Sequence, residues 1–151
     1  MTPTDKDEDR VLRLERRLNA PPAAAFAAWT DPARLARWWG PENFAVPMCE
    51  IDPRPGGRWE TCMKSPEGTE HFVGGVYREV VAPERLVFTW AWRADGTPGH
   101  ETLVTVEFHP DGDGTRLVLT QESFESTASR DDHGQGWTSS FVCLESTLTD
   151  R

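Results

Sequence analysis

Four histidines, His71, His100, His109 and His133, lie near the acids Glu70, Glu101 and Asp132. A neutral imidazole can take a proton or bind a cation, so these residues are weighed first for acid–base or metal chemistry. Their spacing argues against both. No two histidines stand at H-x-x-x-H or H-x-H separation, and each falls near a turn or strand end, where a histidine is ordinarily solvated. His71 has the strongest claim because it lies within a strand, yet its neighbour Phe72 is the residue expected to face inward. Asp111, Asp113 and Glu122 occupy the first, third and twelfth places of a calcium-loop pattern, but Arg116 stands at the sixth, where the sharp turn needs glycine. Gly56, Gly57, Gly74 and Gly75 match no phosphate-cradling pattern, and no serine lies in G-x-S-x-G. Cys49, Cys62 and Cys143 are odd in number and widely spaced, which suits buried thiols better than a disulfide or zinc framework. The expectation is therefore no catalytic residue, no metal and no cofactor.

Large rings offer a different chemistry. The 151 residues include 7 Trp and 7 Phe against 1 Tyr, and Trp38, Trp39, Trp59, Trp90, Trp92 and Trp137 could wall a cavity for a flat or lipid-like molecule. They could equally fill a core completely. Their indole N–H groups need partners, which favours some polar contact inside. A formal net charge of -9 repels phosphate backbones and anionic membrane surfaces, so no nucleic acid or membrane partner is expected. The opening MTPTDKDEDR carries no apolar run and no later stretch is long enough to span a bilayer, so a cytoplasmic location is expected.

The elements that must position these rings follow from periodicity. Residues 1–9 are polar and are expected to be a disordered tail, with one domain over 10–151. Val11, Leu12, Leu14 and Leu18 interleave with charges as a first strand; Pro21 and Pro22 open a helix through the alanine-rich 23–29. Asp31-Pro32 starts a second short helix that Gly40-Pro41 stops. Six extended runs follow, near 45–52, 58–64, 69–80, 85–93, 101–109 and 115–123, separated by turn residues as in an antiparallel meander. Gly74-Gly75 suggests a bulge or bend inside the third run. After a polar connector, Trp137, Phe141, Leu144 and Leu148 recur at helical spacing. The fold class is α+β: a curved antiparallel sheet of about seven strands wrapped on a long C-terminal helix, with two short helices after the first strand.

At this point specific motifs line up. Ala20-Pro21 is followed by Phe26 and by Trp29-Thr30-Asp31-Pro32; then come Trp38-Trp39-Gly40-Pro41, the turn Asp52-Pro53-Arg54-Pro55-Gly56-Gly57, the run from Pro83 to Trp90, and Gly136-Trp137 opening the last helix. In this order the chain resembles the helix-grip superfamily of START and Bet v 1 folds (SRPBCC), in the branch similar to the C-terminal domain of the activator of Hsp90 ATPase. The resemblance implies the grip fold and often an enclosed hydrophobic cavity. It fixes a fold better than a job.

Combining fold and parity, the expected pocket walls are Trp39, Trp59, Met63, Phe72, Phe88, Trp90, Trp92, Val104, Val106, Trp137 and Phe141, with Thr61, Cys62 or Tyr77 supplying polar selectivity. The first expectation is a non-enzymatic binder of a small hydrophobic molecule. The alternatives are a protein-interaction module that engages a chaperone or other protein, and a cavity-based cyclase or hydrolase. Monomer and homodimer both remain open, since a meander sheet leaves long edges.

Overall fold

The computed structural model describes residues 10–40, 42–94 and 97–149. The expected tail at 1–9, Pro41 of the expected helix stop, and Asp95-Gly96 of one expected turn lie outside that range. The elements are β1 (Leu12–Leu18), α1 (Pro22–Thr30), α2 (Pro32–Leu35), β2 (Ala45–Ile51), β3 (Arg58–Lys64), β4 (Glu70–Val81), β5 (Arg85–Ala94), β6 (Thr97–Pro98), β7 (Thr102–Asp111), β8 (Gly114–Glu122) and α3 (Thr127–Thr149). The α+β class and the long C-terminal helix stand as expected. The sheet is antiparallel throughout, in the order β1-β8-β7-β5-β4-β3-β2. Its eighth strand is β6, two residues that extend the β5 hairpin by pairing Arg93 with Pro98 and Ala94 with Thr97.

Local sequence explains the small helices. Pro21 accepts hydrogen bonds from Ala24 and Ala25 at the start of α1, and the Asp31 side chain accepts from the Ala33 amide to cap α2. Both helices send bulky side chains inward, since Phe26, Trp29 and Leu35 are buried.

The long helix starts ten residues before Trp137, at Thr127, so the expected polar connector is itself helical. Ser126 is the reason: its Oγ accepts from the Ser129 amide and its carbonyl from the Arg130 amide. Gly134 and Gly136, poor helix formers, masked that start in the sequence. Gly134 sits where a Cβ would come within 3.2 Å of Leu12 Cδ1, so the helix runs close to β1. The Arg16–Glu145 ion pair, at 2.8 Å, joins the same two elements.

The expected bend at Gly74-Gly75 takes a specific form. Gly74 pairs with Ala91 and Tyr77 with Phe88, whereas the Val76 amide donates to the Thr89 hydroxyl, at 2.8 Å, instead of joining the ladder. A Cβ at Gly75 would lie 2.0 Å from the Thr89 carbonyl oxygen, so no other residue fits there. The register shift itself falls later, between Tyr77 and Glu79.

Alternation then sorts side chains. On β7, Thr102, Val104, Val106 and Phe108 are buried, and on β8 Leu117, Leu119 and Gln121 lie opposite them. The three helices cover this inner face, and the core between them is contiguous.

Candidate functional site

One face of α3 carries Asp132, Gly136 and Ser140 at four-residue steps, beside His133 and Trp137. Opposite it, β3 supplies Met63, β4 supplies His71 and β5 supplies Trp90 and Trp92. Ladder register makes these neighbours, with Met63 across from His71 and Val73 across from Trp92. Trp39, Gly40 and Phe44, in the segment after α2, close the third side. Gly40 turns there with φ of 88°, and a Cβ would stand 3.0 Å from the Met63 sulfur. The cleft, open to solvent on one side, has a volume of about 540 Å³, within the size range of small-molecule sites.

Hydrogen bonding settles what the walls present. The Trp39 indole N–H donates to Thr61 Oγ1 at 2.9 Å, and Trp137 donates to Gln121 Oε1 at 2.8 Å. Gln121 is fully buried and passes the connection on, its Nε2 donating to Thr102 Oγ1 at 2.8 Å. This chain fixes α3 to β8 and β7 through satisfied polar groups. Trp92 Nε1 donates to His133 Nε2 at 2.9 Å, while His133 Nδ1 meets the Ser129 carbonyl at 2.7 Å. An indole only donates and a carbonyl only accepts, so Nε2 accepts from Trp92, Nδ1 donates to Ser129, and both nitrogens are engaged. The Trp90 N–H is buried with no partner among the described residues. The His71 ring meets Phe44 in a tilted contact and Trp92 edge-on, with centroids at 6.2 and 6.3 Å.

Behind the cleft the same inner face is filled. Trp29, Leu35, Trp59, Tyr77, Leu86 and Phe88 surround only about 10 Å³, roughly the room of one water. Burial pushes the Tyr77 phenol up, and lifts the Cys49 thiol to about 11.

The sequence profile of the family described as activator of Hsp90 ATPase homolog 1-like protein matches residues 19–149. The chain belongs to this family. Among solved structures, the activator of Hsp90 ATPase homolog 1 protein of Silicibacter pomeroyi is 35% identical with a TM-score of 0.86, over 92% of this chain and 97% of its own. A protein of Chromobacterium violaceum is 30% identical at TM-score 0.82, over 94% and 99%, and one of Nitrosomonas europaea 28% identical at 0.82, over 95% and 96%. No curated protein matches the sequence.

In this member of the activator of Hsp90 ATPase homolog 1-like family, the expected site residues divide into five groups. Trp39, Met63, Trp90, Trp92 and Trp137 border the cleft. Trp59, Tyr77 and Phe88 border the small void instead, and Val104, Val106 and Phe141 are packed core. Thr61 is fully buried, its Oγ1 accepting from Trp39, and it does not border the cleft. Phe72 is a correction: it pairs with Cys62 on the outer face and is 38% exposed, while His71 takes the inner position. The physical reason is parity, since Met63 faces inward and its ladder partner is His71. Cys62 is buried on that same outer side, so it too is removed from the cleft.

Gly40, Phe44, Gly136 and Ser140 also line the cleft, though none was expected as a wall, and Asp132, His71 and His133 were expected only as acid–base or metal candidates. Continuing the helical spacing back from Trp137 would have found His133. Among the described residues, no group of three or more His, Cys, Asp or Glu is placed to hold a metal ion.

Proposed function

We propose that this chain binds a small hydrophobic molecule in the cleft between the sheet and α3, without converting it, as a single cytoplasmic domain. What supports the reading is the cleft of about 540 Å³ whose walls are Trp39, Phe44, Trp90, Trp92 and Trp137. Aromatic walls with few polar groups suit an apolar guest. His133 adds to the case against catalysis, since both of its nitrogens are already committed to Trp92 and Ser129. Membership of a family named for activation of Hsp90 ATPase favours a protein-binding role instead. Against that, the exposed large hydrophobics among the described residues are spread out: Phe72 and Val81 stand near opposite ends of β4, Trp92 is on β5 and Val142 on α3. Thermal unfolding against a panel of fatty acids, sterols, flavonoids and polyketide-like aromatics tests the proposal. A saturable rise in melting temperature with tryptophan quenching is expected. Folded, ligand-free protein that responds to none of them would transfer the case to the protein-interaction module.

A further inference from the structure

The charge of the ligand can be read from what the cleft lacks and what it holds. Among its described lining residues there is no Lys or Arg, and the one carboxylate is Asp132, exposed at the rim. No ion pair among the described residues involves Asp132; the neighbouring Arg130 reaches Asp131, at 3.0 Å. The whole chain carries a net charge of -9, so its field attracts cations and repels anions. Three of the four wall indoles spend their N–H on protein acceptors: Trp39 on Thr61, Trp92 on His133 and Trp137 on Gln121. The fourth N–H, on Trp90, is buried. A ligand carboxylate or phosphate therefore meets few donors and one repelling charge. An ammonium meets π surfaces made more electron-rich by their donated N–H groups, and a carboxylate within the same rim. His133 has both ring nitrogens taken up by Trp92 and Ser129, so it offers a ligand anion no N–H.

We infer that the cleft selects organic cations, an ammonium carried on an aromatic or alicyclic body, with Trp90 and Trp92 as its π walls and Asp132 as its counter-charge. The inference rests on the reading of this cleft as a ligand site and adds the charge and class of the ligand.

Three probes sharing one body test it by calorimetry, at about pH 8 where ordinary imidazoles are uncharged. They are (2-naphthylmethyl)trimethylammonium, its neutral carbon isostere 2-neopentylnaphthalene, and the anion 2-naphthylacetate. The cation should bind about tenfold more tightly than the neutral isostere, and the anion most weakly. Asp132→Asn, an exposed near-isosteric change, should cut the cation's advantage to about threefold and leave the neutral probe unmoved. Trp92→Leu should cut it further, with a thermal melt confirming that the variant is folded. Equal or tighter binding of the neutral or anionic probe would overturn the cation assignment and leave the cleft as a ligand site. An advantage unchanged in both variants would also overturn it. Binding of none of the three would remove the ligand site itself, and the inference with it.

Discussion

The two ends of the inner sheet face are built from the same kind of residue and end differently. At one end Trp29, Trp59, Tyr77 and Phe88 close on about 10 Å³; at the other Trp39, Trp90, Trp92 and Trp137 border about 540 Å³. The count of rings does not decide which end is hollow. The opposing helix does. Over the filled end α1 and α2 insert Trp29 and Leu35, whereas α3 presents Gly136 and Ser140 to the cleft. A Cβ at Gly136 would meet nothing within 4 Å, so the open space continues up to the helix backbone. A cavity is thus set by small residues on the covering element more than by large ones on the sheet.

The largest expected difference lies in truncation. Trp59→Ala or Phe88→Ala should cost about 3 to 5 kcal/mol, because each leaves a void in packed surroundings. Trp92→Ala, at a residue 37% exposed beside existing space, should cost under about 1.5 kcal/mol. Denaturant titration of the three variants would break the comparison if their costs were equal.

Gln121→Met comes next. It keeps the shape but leaves the buried Trp137 N–H without its acceptor and removes the donor to Thr102 Oγ1, so a loss of about 2 kcal/mol is expected. The same denaturant titration measures it. A near-zero effect would mean that the Gln121 chain adds nothing to the hold on α3.

Alkaline pH should then separate the ends. Burial raises the Cys49 thiol from an ordinary 9.0 to about 11 and raises the Tyr77 phenol as well. Groups held neutral in the fold ionise first in the unfolded chain, so stability is full below about pH 9 and falls as pH climbs towards about 11. Cys49 is only partly buried, which reduces its share to roughly 1 kcal/mol. Melting curves across that window should flatten in Cys49→Ala; an unaltered slope would remove Cys49 from the account.

The smallest effect on stability comes from Gly136. Gly136→Ala should gain up to about 1 kcal/mol from helix propensity, since its methyl enters open space. Gly136→Leu should keep the fold and abolish binding of any ligand that the parent takes up. Retained affinity would show that the ligand sits elsewhere.

Most of the sheet was legible because strand alternation is local. The Trp90 and Trp92 row, the Val104 to Phe108 row and the hairpin turns need only parity and turn chemistry. The cleft was half legible. Its strand walls followed from parity, but the start of α3 was hidden by Gly134 and Gly136, and with it went Asp132 and His133 as wall residues. Phe72 was misplaced because parity within a strand fixes alternation and not which set faces inward. That choice belongs to the ladder, which sets His71 against Met63.

By itself the sequence determined the class of fold, the order of elements and the set of rings that had to be buried, because periodicity and capping act over a few residues. The tertiary structure alone decided which rings meet a helix side chain and which meet empty space. That depends on where α1, α2 and α3 cross the sheet, which no local pattern encodes. The pairings of Gln121 with Trp137 and of Trp92 with His133 join residues far apart in the chain, and only packing brings them together.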